Sequence, residues 1–317
     1  MSIDLAILWA FIIAFAVFFY VVMDGFDLGL GILFPLFPKK ADRDVIMNSV
    51  APVWDGNETW LILGGGGLMA AFPLAYAVLM PALYTPIIAM LLGLVFRGVA
   101  FAGGSLLATL AQGIALGAIL QGIRVEGRHY AGGWWDWLTP FTMLTGVALV
   151  IGYALLGSTW LILKTEGELR ERAYRLSWAL LLAMLGAIGA VSIATPFLNV
   201  QYTQRWFAWP GIILTAPVPV AVAAVAALLS RSLANKYDHQ PFFLSLGLFA
   251  LSYAGLGISM YPYIVPQSIT IWQAASPENS QLFMLFGVAI MIPLILGYTA
   301  WAYWVFWGKV SAASSYH

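Results

Sequence analysis

Long apolar stretches fill most of this chain, and polar residues are confined to the short segments between them. A helix of about 20 apolar residues spans the ~30 Å hydrocarbon core of a bilayer. The pattern therefore predicts an all-α integral membrane protein with about nine transmembrane helices. We place these helices near residues 5–34, 57–72, 76–100, 102–123, 137–163, 174–197, 208–230, 241–263 and 281–307.

Three segments add detail to this pattern. The second helix is short and contains Gly64 to Gly67, so we expect it to pack against other helices rather than lipid. Residues 39–50 are amphipathic, which is typical of a helix lying along the membrane surface. Residues 76–121 contain no polar connection, only the pair Gly103-Gly104. Either the turn between the third and fourth helices is very tight, or a loop is missing from the sequence.

Composition supports a membrane protein and excludes several other classes. Only 9% of the residues are charged and 62% are hydrophobic, whereas soluble domains carry roughly 25% charged residues. A formal net charge of zero argues against a nucleic-acid partner. The chain has no cysteine, which excludes disulfides and thiolate metal sites. The first apolar stretch is too long for a cleavable signal peptide. We expect a single membrane domain over residues 1–317.

Basic residues are distributed unevenly between the two predicted sides of the membrane. With nine helices, alternate connections share a side, and eleven of the fourteen basic residues then lie together. The opposite side holds only Arg124, Arg128 and Arg205. Cytoplasmic loops carry the excess of Lys and Arg. We therefore expect the N-terminus outside the cell and the C-terminus in the cytoplasm.

Two acidic residues lie inside the first apolar stretch. Asp24 and Asp27 are three residues apart, so a helix presents both on one face. Charges inside a membrane are costly and usually functional. The alternative is that both carboxylates lie near the helix end and are simply solvated.

A second acidic motif, Trp54-Asp55-Gly56-Asn57-Glu58-Thr59-Trp60, precedes the second helix. Asp55 is placed to cap that helix through the amides of Asn57 or Glu58. Glu58 then falls in the first turn, where a negative charge suits the helix dipole. Capping is one interpretation of Asp55. The other is a proton-carrying carboxylate at the membrane edge, with Trp54 and Trp60 excluding bulk water.

Arg97 and the histidines complete the candidate chemistry. Arg97 either snorkels to the interface at the end of the third helix or neutralises one of the carboxylates. Membrane haem proteins usually hold iron through histidines on helices. His129, His239 and His317 all fall in predicted loops or at the chain end. We therefore expect no metal or haem ligand in this chain.

Several stretches, spread in order along the chain, resemble subunit II of the cytochrome bd family of quinol oxidases. The likeness is greatest to the cyanide-insensitive branch. The matching stretches are residues 23–29, 48–60, 96–101, 136–141, 164–169, 261–266 and 298–301. Relatives have a basic cytoplasmic loop after the position of Phe101, and this chain departs from them there.

The resemblance implies an architecture and a partner. It implies two four-helix bundles plus one peripheral helix, in a bacterial cytoplasmic (inner) membrane. It also implies a heterodimer with a haem-bearing subunit I, and in some relatives a small accessory subunit. That partner would hold three haems, two of b type and a third of d or b type. Some family members also carry a structural quinone in subunit II.

The resemblance also implies a function for the complex and a role for this chain. The complex would oxidise quinol and reduce O2 to water, generating proton motive force without pumping. This chain would carry no catalytic residue, but would stabilise subunit I and supply part of a proton route. The candidates for proton transfer are Asp55, Glu58, Asp24 and Asp27, with Arg97 as charge partner and Trp54, Trp60 and Asn57 in support. From the residues alone, a secondary transporter or a purely structural scaffold remains open.

Overall fold

Helices dominate the part of the chain, residues 4–310, that this computed structural model describes. A single 3₁₀ turn, Phe34–Leu36, and two short antiparallel hairpins complete the described secondary structure. The helices are α1 Leu5–Leu33, α2 Lys40–Val50, α3 Trp54–Asn57, α4 Thr59–Ala71, α5 Pro73–Ala82, α6 Tyr84–Arg97, α7 Phe101–Gln121, α8 Pro140–Lys164, α9 Gly167–Leu198, α10 Val200–Phe207, α11 Ile212–Thr215, α12 Pro217–Ala234, α13 Gln240–Met260, α14 Ile271–Ala274 and α15 Glu278–Val305. The strands are β1 Val125–Glu126, β2 His129–Tyr130, β3 Tyr263–Val265 and β4 Ile269–Thr270.

Local sequence signals explain where several helices begin. The Asp4 side chain accepts a hydrogen bond from the Ile7 amide at 3.1 Å and so caps α1. Thr139 and Thr142 form a reciprocal capping box at the start of α8, with Pro140 in its first turn. Such caps satisfy amides that have no partner inside the helix.

Seven described helical segments are long and apolar enough to cross a membrane. The pair α5 and α6 provides an eighth, although the two helices are bent by 83° at Leu83. Pro86 explains the break, because proline has no amide hydrogen and its ring clashes with the carbonyl four residues earlier, that of Ala82. The remaining predicted helix, 57–72, contains α4, which has only 13 residues. Nine crossings therefore stay a prediction.

The helices form two bundles, as predicted. One bundle contains α1, α4, the pair α5 and α6, and α7, while the other contains α8, α9, α12 and α13. Helix α8 packs against α1 and α7 and joins the two, whereas α15 lies at the periphery against α1. The α1–α8 contact is backbone to backbone, since a Cβ on Gly29 would lie 1.8 Å from the Tyr153 carbonyl oxygen. Glycine is the only residue that permits this approach.

Some details differ from the sequence prediction. Helix α9 begins at Gly167 rather than near 174, because its charged first turns continue the helix outside the apolar stretch. The segment 124–136 contains the hairpin β1–β2. The hairpin β3–β4 begins at Tyr263, because the preceding helix ends at Met260 rather than near 263. Only residues 98–100 connect α6 to α7, so the turn in this chain is very tight.

Two of the four glycines of α4 pack against the described part of the chain. Gly64 packs on Val17 and Gly67 on Ile13, as expected, but no described atom lies within 4 Å of a Cβ built on Gly65 or Gly66. Four consecutive residues point in nearly all directions around a helix, so they cannot all face a neighbour.

Charged residues gather at one end of the bundles. Salt bridges join Lys39 to Glu168 at 2.7 Å and Lys236 to Glu171 at 2.7 Å. Asp238 binds both Arg170 and Lys309, at 2.9 and 3.0 Å. These basic residues belong to the side predicted to be cytoplasmic. Their clustering supports that grouping, while the orientation of the termini stays a prediction.

Candidate functional site

Arg97 forms the centre of a buried ionic cluster. It lies at the end of α6, and only 4% of its surface is exposed. Its Nη1 donates to Asp24 Oδ1 at 2.6 Å, and its Nη2 donates to the Glu58 carboxylate. Arg97 thus contacts two carboxylates and does not reach the surface of the described chain. The packing of α6 on α7 holds the arginine there, because a Cβ on Gly104 would lie 2.4 Å from the Arg97 amide nitrogen.

Asp24 and Asp27 are both buried, with 0% and 1% of their surface exposed. The interpretation that they are solvated at the helix end is therefore wrong. Asp27 is held by Asn57, whose Nδ2 donates to its Oδ2 at 2.7 Å and to the Met23 carbonyl at 3.2 Å. Tyr303 of α15 donates to Asn57 Oδ1 at 3.1 Å. Asn57 thus connects α3, α1 and the peripheral helix through one amide.

Asp55 lies apart from this cluster, on the exposed surface of α3. No residue within 4–310 donates a hydrogen bond to its side chain in the structure. The expectation that Asp55 caps the second helix is wrong: no described side chain caps α4, and the residue before it, Glu58, is already helical at φ −69°, ψ −19°. A side-chain cap needs a non-helical residue, and α3 runs almost directly into α4.

The two tryptophans of the motif do not shield Asp55. The Trp54 ring lies 5.1 Å from the Arg97 guanidinium carbon, a cation–π contact. Trp60 is fully buried, with its ring 4.7 Å from that of Phe19 and 5.9 Å from that of Phe15. Both rings therefore cover the cluster and α1 and leave Asp55 on the surface.

Charge balance gives the cluster its chemical character. Arg97 contacts the carboxyl groups of Asp24 and Glu58, and its charge also interacts with that of Asp27. Like charges in a low-dielectric interior repel strongly, so the ionisations of such groups are coupled. Asp24 Oδ2, Asp27 Oδ1 and Arg97 Nε also have no hydrogen-bond partner among the described residues. A cluster with surplus acids and unfilled hydrogen-bonding capacity can bind and release a proton.

A second polar group adjoins Asp24 and was not predicted. Gln112 of α7 donates from Nε2 to the Tyr20 hydroxyl at 2.7 Å and accepts from the Tyr153 hydroxyl at 3.0 Å. A signal for it exists in the sequence. Ser105, Thr109 and Gln112 recur at helical spacing within an otherwise apolar helix, which predicts one buried polar face.

Within residues 4–310, no group of three or more His, Cys, Asp or Glu side chains is placed to hold a metal ion. His129 lies in β2 and His239 immediately precedes α13. His317 lies outside the described residues.

Fold and site together define a multi-pass α-helical membrane protein with an ion-paired acidic cluster buried near its basic end. The family profile "Cytochrome bd terminal oxidase subunit II" matches residues 5–103 and 100–306. The chain therefore belongs to the cytochrome bd terminal oxidase subunit II family.

Individual relatives cover almost the full length of the chain. "Cytochrome bd-I ubiquinol oxidase subunit 2" of Escherichia coli (strain K12) is 29% identical, covering 97% of this chain and 95% of that protein. "Cytochrome bd ubiquinol oxidase subunit 2" of Bacillus subtilis (strain 168) is 25% identical over 96% of both chains. The fold matches a chain of the bd oxidase from Geobacillus thermodenitrificans with a TM-score of 0.75 and 16% identity, covering 96% of this chain and 99% of that one.

The comparisons also bear on the tight turn between α6 and α7. The two matched parts of the family profile meet at residues 100–103. The alignment with the Escherichia coli protein extends over 362 positions, more than the 317 residues of this chain. That relative therefore has residues that this chain lacks, and the division of the profile match indicates the α6–α7 turn as one place where they fall.

Proposed function

We propose that this chain is the haem-free subunit of a quinol-oxidising terminal oxidase and supplies part of its cytoplasmic proton route. The names of the relatives, ubiquinol oxidase subunits, support this assignment. The three haems, the quinol site and the O2 site would belong to a haem-bearing subunit I. This chain would stabilise that partner in the inner membrane and would have no catalytic residue of its own. A structural quinone and an accessory subunit remain expectations of the resemblance.

The observation that carries the proton route is the graded burial of the acids around Arg97. Asp55 is exposed, Glu58 is half-buried three residues later, and Asp24 and Asp27 are fully buried beneath them. Burying charges is costly unless they are paired, and acids inside membranes commonly serve proton relays. We therefore assign proton uptake to Asp55, onward transfer to Glu58 and the buried pair, and charge balance to Arg97. Protons taken from the cytoplasm to form water move charge without a pump.

Asp55→Asn in the assembled complex tests this route. We expect slower O2 reduction with unchanged haem content, because the substitution removes a titrating group from an exposed position. Glu166→Gln is the matched control, since Glu166 is an exposed acid in the connection between α8 and α9. Unchanged turnover in a normally assembled Asp55→Asn complex would remove the carrier role. Loss of haem or assembly, rather than of rate, would favour the scaffold interpretation.

The transporter alternative is tested by purification from membranes. Co-purification with a haem-bearing partner supports the oxidase, and the visible spectrum of the complex identifies the third haem. A colourless chain that purifies alone and binds a solute would support transport instead.

A further inference from the structure

Three polar side chains from three helices form a hydrogen-bond chain with a definite direction. Tyr153 of α8 donates to Gln112 Oε1 at 3.0 Å, and Gln112 Nε2 donates to the Tyr20 oxygen at 2.7 Å. Because the Tyr20 oxygen accepts this bond, its own O–H is free to donate elsewhere. Every donor in the chain therefore points from α8 towards α1.

The chain ends beside Asp24. Tyr20 lies four residues before Asp24, so both side chains share one face of α1. The Tyr20 hydroxyl and the Asp24 carboxylate are close enough to act on each other electrostatically. Oδ1 of that carboxylate already accepts from Arg97, whereas Oδ2 has no partner among the described residues. Oδ2 is therefore an open acceptor on the same face of α1 as the Tyr20 hydroxyl.

The three buried or half-buried acids differ in their partners. Asp24 accepts from the guanidinium on one oxygen, and the Tyr20 hydroxyl also acts on its carboxylate. Among the described residues, Asp27 accepts a hydrogen bond only from the neutral amide of Asn57. Glu58 accepts from Nη2 of Arg97, but its carboxylate is only half-buried and is open to proton exchange. The titratable and charged groups that act on Asp24 from the surrounding helices are Tyr20, Asp27, Glu58, Arg97, Tyr153 and Tyr303.

We infer that Gln112 is a positioning residue, which aims the Tyr20 hydroxyl at Asp24 so that Asp24 stays ionised as the fixed counter-ion of Arg97. The exchangeable proton of the cluster then resides on Glu58 and Asp27, which narrows the proposed route by removing Asp24 from it. The transfer of that proton rests on the proposed function, whereas the charge state of Asp24 does not depend on it.

Infrared spectroscopy of the whole purified complex tests this division of roles, because a protonated carboxyl group has its own C=O stretching band. Asp24→Asn should remove no such band from the spectrum of the unmodified complex. Tyr20→Phe and Gln112→Met should each gain one, since each withdraws the donor that keeps Asp24 ionised. Labelling aspartate with ¹³C should shift the gained band, which assigns it to aspartate without a further substitution.

Tyr253→Phe is the matched control. Tyr253 also donates from a neighbouring helix to α1, at 2.8 Å to the Ala14 carbonyl, but it is not part of the chain to Asp24. The Tyr253→Phe complex should therefore gain no carboxyl band. A carboxyl band in the unmodified complex that Asp24→Asn removes would overturn the inference. So would assembled Tyr20→Phe and Gln112→Met complexes without any new aspartate band.

The infrared test of Gln112 and the turnover test of the proton route can fail independently. Unchanged turnover in Asp55→Asn would remove the route and leave the infrared result standing. Absence of the aspartate band would remove the role of Gln112 and leave the route intact.

Discussion

Arg97 and Asp24 are 73 residues apart in the chain, yet their buried side chains meet at 2.6 Å. One residue ends α6 and the other lies in the last third of α1. An ion pair at this depth is stable only because each charge cancels the desolvation cost of the other. The pair therefore joins two helices of the first bundle and makes them interdependent.

Removing one partner of this pair should destabilise the complex strongly. Arg97→Gln leaves acids without their cation, and breaking a buried pair costs about 3–5 kcal/mol. We expect a lower thermal midpoint and lower yield of the purified complex. Arg128→Gln, at an exposed arginine between β1 and β2, should change stability by less than about 0.5 kcal/mol.

A double substitution separates charge from shape at this pair. Arg97→Gln combined with Asp24→Asn replaces the ions by two amides, so much of the lost stability should return. A double variant no more stable than Arg97→Gln alone would contradict electrostatic pairing as the cause.

The α1–α8 contact should tolerate no side chain at Gly29. A Cβ there would overlap the Tyr153 carbonyl at 1.8 Å, and backbone cannot move aside cheaply. Gly29→Ala should therefore separate the two bundles and reduce assembly, as judged by size-exclusion chromatography. Gly65→Ala is the control, because no described atom lies within 4 Å of its Cβ. Normal assembly of Gly29→Ala would show that this close packing is dispensable.

Asn57 should couple the acidic cluster to the peripheral helix. Asn57→Leu removes the donor to Asp27 and the acceptor for Tyr303, and unsatisfied buried groups cost about 1–3 kcal/mol each. We expect a lower thermal midpoint and faster proteolysis of α15. Tyr303→Phe removes only the second bond and should have the smaller effect. Asn235→Ala, at an exposed position after α12, should leave proteolysis of α15 unchanged.

Asp238 should add a pH-dependent contribution at the basic end. Burial raises the pKa of this carboxyl, but the hydrogen bond and charge of Lys309, together with Arg170, outweigh it and hold the pKa below the usual value. A depressed pKa stabilises the folded state above the ordinary aspartate range, and the contribution disappears as pH falls through the folded-state value. Asp238→Asn should therefore destabilise the complex at neutral pH by up to about 1 kcal/mol, the range of a partly exposed ion pair, and lower its thermal midpoint slightly. The difference from the parent complex should vanish at strongly acid pH. An equal difference at all pH values would exclude titration of Asp238 as its source.

Much of the fold was predictable because it depends on local sequence. Apolar stretches such as residues 102–123 determine a helix wherever they occur in a membrane, and α7 lies within two residues of that prediction. The burial of Asp24 was weighed but not decided. Asp55 as a helix cap was a reasonable local prediction, and it failed because α3 and α4 are nearly continuous, a feature of the backbone that no residue type signals.

The sequence by itself determined the membrane class, the positions of most helices, the amphipathic segment α2 and the acids worth studying, since these follow from residue type and spacing along one helix. Only the tertiary structure decided which partners those acids have. Arg97 pairs with Asp24 and Glu58, and Gln112 joins Tyr20 to Tyr153, because the helices pack closely at glycines such as Gly29 and Gly104. Hydropathy and spacing contain no information about distances between helices, and those distances determine which charges pair.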